Sequence, residues 1–297
     1  MRYMFEDFKN AFQRPNNAHA QLILVNVGIF LVLAVFYVFS KIFGAEGLFE
    51  IVYDQFTIPP VITEFLKRPW TLITYAFAHS MGDIFHILFN MLVLYWFGRV
   101  FIEYLGSDKL IALYMLGALA GAVLYLLFFN TVPFFIERSQ FSGMVGASAA
   151  VYAIVVGTAT LMPNYTFYLL FFGPVRIKYI AGFYIVISFL GSVGGNAGGN
   201  IAHLGGALMG FVYIKQLQAG INWGSWITST LDWIKSMGES KPKVKVSYRK
   251  DSTRSTQPRE FKASQTEIDA ILDKISEKGY ESLTKDEKEK LFNASKK

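Results

Sequence analysis

Residues 143–154 read GMVGASAAVYAI, and the reading of this stretch decides the fold. It is apolar and small throughout, apart from the hydroxyl of Ser148 and the phenol of Tyr152. Such a run suits a helix packed tightly inside a lipid bilayer, because glycine and alanine let neighbouring backbones approach closely. A serine there has an ordinary use, bonding back to a carbonyl of its own helix. The other use is chemical, and it depends on whether distant parts of the chain can make the hydroxyl react.

The composition favours a membrane setting. Hydrophobic residues make up 53% of the chain and charged residues only 17%, which is apolar for a water-soluble domain. The formal charge is +6, with much of the surplus in GESKPKVKVSYRKDSTRSTQPRE. A basic segment beside a membrane domain suits anionic headgroups better than nucleic acid. There is no cysteine, so disulfides, thiol catalysis and thiolate metal sites are excluded. The opening MRYMFEDFKNAFQRPNNAHA lacks the form of a cleaved signal. It predicts a short amphipathic surface helix followed by a retained anchor.

A helix needs about 20 apolar residues to cross the hydrocarbon core. Six segments are predicted to do so: Leu22–Ser40, one beginning near Asp83, Leu110–Phe129, Met144–Met162, one from Ile177 through IAGFYIVISFLGSV, and one from near Asn200. The stretch between the first two is broken by proline and charge and is expected at the outer interface. With the N-terminus inside, the inner segments hold Arg2, Lys9, Arg14, Arg99, Lys109, Arg176, Lys178 and Lys215. The outer ones then hold Lys41, Lys67, Arg68 and Arg138, and this positive-inside bias puts both termini in the cytoplasm.

On this topology every even-numbered span starts at the outer face. His86 and Asn90 lie in the first turns of the second span, Ser148 in those of the fourth and His203 in that of the sixth. All four are then at one depth, about 5 to 10 Å below the headgroups at 1.5 Å per residue. Ionisable groups inside spans are costly and usually functional. The fourth and sixth spans are also rich in glycine and alanine, including Gly206 and Gly210. A serine on one can therefore reach a histidine on the other.

A hydroxyl attacks a carbonyl only if a base takes its proton. His203 is the base this depth argument favours, and no span carries the acid of a triad. Asn90 follows His86 by four residues and shares its face, so both could serve the resulting oxyanion beside the Ser148 N–H. Tyr152, one turn after Ser148, could stack on the His203 ring. Bis-histidine haem ligation and a transporter leave the serine and the small-residue seam unexplained. No cofactor or metal is required.

These residues resemble the rhomboid family of intramembrane serine proteases, through HILFN in the second span, GASA in the fourth and AHLGGALMG in the sixth. The resemblance covers Trp70 to Gly210. It implies an all-α, six-transmembrane-helix bundle with Ser148 as nucleophile and His203 as general base. It also implies an oxyanion hole from the Ser148 N–H, His86 and Asn90, a stacking role for Tyr152, and tight packing at Gly206 and Gly210. Substrates would be transmembrane proteins cut near their outer ends, with FFGPVRIKY and the fifth span as a gate. A non-cleaving relative that binds membrane helices is the alternative, but such proteins lack the Ser–His pair. Two departures stand out: Ala149 replaces the usual glycine, and Arg68-Pro69-Trp70 replaces the first-loop Trp-Arg. His79 is farther from His86 than the family spacing and reads as structural.

The tail has its own organisation. The expected divisions are an N-terminal segment at 1–20, the six-helix domain at 21–217, an interfacial amphipathic helix at 218–237, a basic linker at 238–263 and a cytoplasmic helical hairpin at 264–297. Trp226, Ile227, Thr230, Trp233, Ile234 and Met237 fall near one face of the interfacial helix. In the hairpin, Ile268, Ile271, Leu272 and Ile275 share helical spacing, Gly279 is a C-cap and Thr284 with Glu287 is a capping box. The hairpin resembles a module found on rhomboids of Bacteroidota-type bacteria, implying a bacterial inner membrane. Its small apolar surface suggests a docking partner.

Overall fold

The computed structural model describes residues 16–139, 143–169, 172–238 and 264–295. The expected N-terminal surface helix and most of the basic linker lie outside these residues. Two units separate at Ser240/Lys241.

In the first unit, α1 (Ala18–Ile42) leads through α2 (Glu46–Tyr53) and single helical turns to α3 (Ile84–Leu105) and α4 (Ser107–Thr131). Then follow α5 (Ser148–Leu161), a β-hairpin of β1 (Thr166–Leu169) and β2 (Gly173–Arg176), α6 (Ile177–Gly191), α7 (Ala197–Gln218) and α8 (Ser225–Gly238). Three of these helices, α1, α3 and α4, are long and apolar enough to cross a membrane alone.

The others depart from the sequence expectation for a physical reason. Helix α5 has 14 residues, about 21 Å at 1.5 Å per residue, against a hydrocarbon core of about 30 Å. It is also the centre of the bundle, with every residue from Ala149 to Ala159 buried except the half-buried Tyr152. Helices α4 and α7 pack on it most extensively. Helix α7 is long enough at 22 residues, yet its glycines, Asn200 and His203 lower its hydropathy. Those residues serve helix contact rather than lipid contact.

Close approach of α5 and α7 requires glycine. A Cβ on Gly206 would collide with the Ala149 carbonyl, and one on Gly210 with that of Ala153. At the edge of the bundle α1 is mostly exposed, but its buried Asn26 donates to Tyr114 Oη at 3.1 Å and to Leu22 O at 2.8 Å. Tyr114 in turn donates to Ala76 O at 2.7 Å. One polar chain thus ties α1 and α4 to the first loop.

That loop is a folded layer, with Phe49, Ile58, Tyr75, Ala76, Ala78 and His79 buried. Arg68 pairs with Asp54 at 2.9 Å while Trp70 is exposed, so the arginine anchors this loop. The β-hairpin corrects the all-α expectation. Phe167 pairs with Val175 across the two strands and stacks on Phe97 of α3 at 4.8 Å. Pro174 forbids a helix interior here, and extended strands let these apolar residues share a face. Ile227 of α8 is buried, whereas Trp226, Trp233, Ile234 and Met237 are exposed.

The second unit holds α9 (Gln265–Lys278) and α10 (Lys285–Ala294). Each opens with a capping box, Ser264/Glu267 and Thr284/Glu287, and α9 ends at Gly279. Lys274 reaches both carboxylate oxygens of Glu287 at 2.9 Å. Ile271 and Leu283 are its buried apolar residues.

Candidate functional site

Ser148 is the first residue of α5, where backbone N–H groups have no partner inside the helix. The chain reaches it in an extended approach pinned to the first loop. Ile58 and Met144 exchange backbone bonds of 3.0 and 3.1 Å, and Gly146 N–H donates to Tyr75 O at 2.9 Å. Gly146 takes φ +134°, a conformation that side chains rarely adopt. A Cβ there would also lie 2.8 Å from His86 Cε1. Glycine is required at this point on both counts.

The serine hydroxyl does not bond back to its own helix. Its Oγ lies 2.7 Å from His203 Nε2 on α7. Tyr152 covers the imidazole, with ring centroids 4.2 Å apart and planes inclined by 13°. The close seam of α5 and α7 therefore brings together the three residues on which the sequence reading turned. Electrostatically, the N-terminus of α5 adds the partial positive charge of unpaired N–H groups next to the hydroxyl.

His86 and Asn90 come from α3, whose start is set by Asp83. Its carboxylate accepts from Phe85 N–H at 3.0 Å and His86 N–H at 3.3 Å. His86 lines a cavity of about 510 Å³ above Ser148, together with Tyr53, Thr57, Ser80 and Asn196. A second cavity of about 290 Å³ holds His86, Asn90, Ser148, Tyr152, Tyr184 and His203. Asn90 donates to His86 O at 2.7 Å. One of its two amide hydrogens is thus committed to its own helix, leaving the other for the cavity. His79 is fully buried and packs edge-on to His86 at 5.3 Å.

Ala149 carries its methyl away from the serine–histidine pair. A Cβ on Gly121 of α4 would lie 2.6 Å from it, so the extra methyl fills the space over a glycine on the neighbouring helix. Sequence reasoning missed Ser188 of α6, whose Oγ lies 3.1 Å from His203 Nδ1 and donates to Tyr152 Oη at 2.9 Å. No motif marks it, and only its position in the bundle does.

No group of three or more metal-binding side chains occurs among the described residues. The arrangement is a hydroxyl in contact with an imidazole, beside a polar cavity with backbone and side-chain donors. It suits acyl transfer.

Comparison with known proteins gives the same direction. The Rhomboid domain family matches residues 66–218, and a family of unknown function (DUF6576) matches residues 259–297. The chain is 35% identical over 209 residues to RHOMBOID-like protein 12, mitochondrial, of Arabidopsis thaliana, covering 67% of this chain and 58% of that protein. It is 32% identical over 159 residues to Rhomboid protein 1, mitochondrial, of Saccharomyces cerevisiae, covering 50% and 42%. Rhomboid-like protein 16, chloroplastic, of Arabidopsis thaliana is 30% identical over 171 residues, covering 52% and 50%. The chain spans about half the length of the curated relatives it matches.

Proposed function

Because this chain belongs to the rhomboid family, we propose that it is an intramembrane serine endopeptidase, hydrolysing peptide bonds in or next to transmembrane segments of other membrane proteins. Family membership and the apolar helices support a multi-pass membrane protein with an intramembrane-protease-like function. The finer reading is carried by one observation, the 2.7 Å contact of Ser148 Oγ with His203 Nε2.

In this mechanism Nε2 takes the hydroxyl proton while Oγ bonds to the scissile carbonyl carbon. The carbonyl oxygen becomes an oxyanion, met by the Ser148 N–H, His86 and the second amide hydrogen of Asn90. His203 then gives its proton to the leaving amine nitrogen as the C–N bond breaks, leaving an acyl-serine. Water entering from the larger cavity attacks the ester with His203 again as base, releasing the carboxylate and restoring the serine. General-base assistance supplies roughly 10² to 10⁴-fold, and one oxyanion donor about 10² to 10³-fold.

The proposed topology keeps six spans, with the short α5 and α6 crossing a membrane locally thinned or filled by loops, and both termini on the side of the basic segments. The chain's relatives named above are plant and yeast proteins with organellar names, so they lend no support to a bacterial inner membrane. The partners are transmembrane substrates and lipid, with a cytoplasmic partner for the hairpin and no nucleic acid. The alternative of an inactive helix binder has no observation in its favour, since the serine and histidine are in contact.

A serine-directed fluorophosphonate tests the reading. Wild type should label and cleave a transmembrane reporter in detergent, while Ser148→Ala and His203→Ala should do neither and Asn90→Ala should mainly slow turnover. Undiminished cleavage by Ser148→Ala removes the nucleophile assignment.

A further inference from the structure

The His203 ring has two nitrogens, and the one facing away from Ser148 is also engaged. Its partner, Ser188, is fully buried, and it is one of only three buried residues on α6, with Ile177 and Ala181. Other hydroxyls in the bundle behave differently. Thr158, Thr160 and Ser192 each donate to a carbonyl of their own helix, the usual use of a helical hydroxyl. Ser188 instead meets side chains of two other helices, Tyr152 Oη at 2.9 Å and His203 Nδ1 at 3.1 Å.

Counting protons assigns the roles. A serine has one hydroxyl hydrogen and two acceptor sites. Ser188 gives that hydrogen to Tyr152 Oη, so toward the imidazole it can only accept. Nδ1 must then carry the proton. A neutral imidazole has a single N–H, which leaves Nε2 with a free lone pair directed at Ser148 Oγ. The opposite tautomer would place an Nε2–H against the hydroxyl and end its service as base.

We infer that Ser188 is a positioning residue for His203, holding the ring in the Nδ1–H tautomer and accepting from it as the imidazolium forms. The inference rests on the serine-protease reading of the same site. Ser188 thus stands on the far side of the ring, where a triad would place its acid, but as a neutral acceptor that needs no buried charge. The bond also makes the orientation of the base depend on the seat of α6, a helix otherwise largely exposed.

The experiment uses the full-length protein in detergent with Ser188→Ala and Ser188→Thr. Turnover of a transmembrane reporter is measured with kcat and KM separated. The nitrogen-15 imidazole spectrum is recorded alongside, with the His203 signals assigned by their loss in His203→Ala. Ser188→Ala should lower kcat roughly 10- to 100-fold, the range for a hydrogen bond to a charged group, and leave KM unchanged. Its His203 signals should leave the Nδ1–H pattern, and Ser188→Thr should restore both rate and spectrum. The inference is overturned if Ser188→Ala keeps the wild-type kcat and the Nδ1–H pattern. A lower kcat with an unchanged tautomer, not rescued by threonine, overturns it equally. Should wild type fail to label at Ser148, the protease reading falls by itself, while the imidazole spectrum still decides the role of Ser188.

Discussion

Replacing Gly206 by alanine should disable a site that Gly206 does not touch. The added Cβ would press on the Ala149 carbonyl, 2.8 Å from its carbon and 3.1 Å from Ala149 Cα, where ordinary contact begins at 3.4 Å. The obstruction is backbone at the buried Ala149 of the central helix, so neither side can turn away. Helices α5 and α7 must part by on the order of 1 Å, since a close-packed interior has no slack to absorb a methyl. His203 lies three residues before Gly206 and shares its face, so its ring moves with α7. The Ser148–His203 contact of 2.7 Å would then pass about 3.5 Å, beyond a useful hydrogen bond. Overpacking of this kind costs about 1–3 kcal/mol of stability, while loss of the base costs roughly 10² to 10⁴-fold in rate. Activity should therefore fall much further than folding. Reporter cleavage and thermal unfolding in the same detergent measure the two, with Gly28→Ala as control because nothing lies within 4 Å of its added Cβ. Near-wild-type turnover by Gly206→Ala would refute the claim that this seam sets the serine–histidine distance.

Two further outcomes follow from polar groups away from the site. Tyr114→Phe removes the group that donates to Ala76 O and accepts from Asn26. It should lower stability by about 1–3 kcal/mol, the cost of buried polar atoms left unpaired, read as a lower Tm with cleavage retained below it. In the hairpin, Lys274 first, and then Thr284 through its N–H and hydroxyl, hold the Glu287 carboxyl down to about 2 from its ordinary 4.5. A depressed folded-state value means the stabilisation is complete above the unfolded value and lost as pH falls toward about 2. Backbone NMR signals of α9 and α10 should therefore weaken between pH 4.5 and 2, and Glu287→Gln should abolish that window.

What was legible in the sequence was local or depended on depth. The capping box at Thr284 and Glu287 and the stop at Gly279 involve neighbours within a turn, so their geometry is written in their spacing. The Ser264/Glu267 box, not anticipated from the sequence, follows the same pattern. Ser148, His86, Asn90 and His203 stood out because polar groups in apolar runs are costly, and counting residues from the helix starts placed them on one level. The small-residue seam announced that α5 and α7 would meet.

Tertiary packing alone decided the rest. A serine in an apolar helix costs little and bonds locally by default, so nothing in IVISFLGS marks Ser188 as different from Ser192; only the seating of α6 against α5 and α7 aims one of them at an imidazole. Whether the Ala149 methyl crowds the serine or fills the space over Gly121 depends on a helix about 30 residues away. The pairing of Thr166–Leu169 with Gly173–Arg176 is favoured by Pro174 but made by Phe167 finding Phe97. Spacing along one helix specifies which side chains share a face, whereas the distance and rotation between helices come from the sum of many weak contacts over the whole bundle.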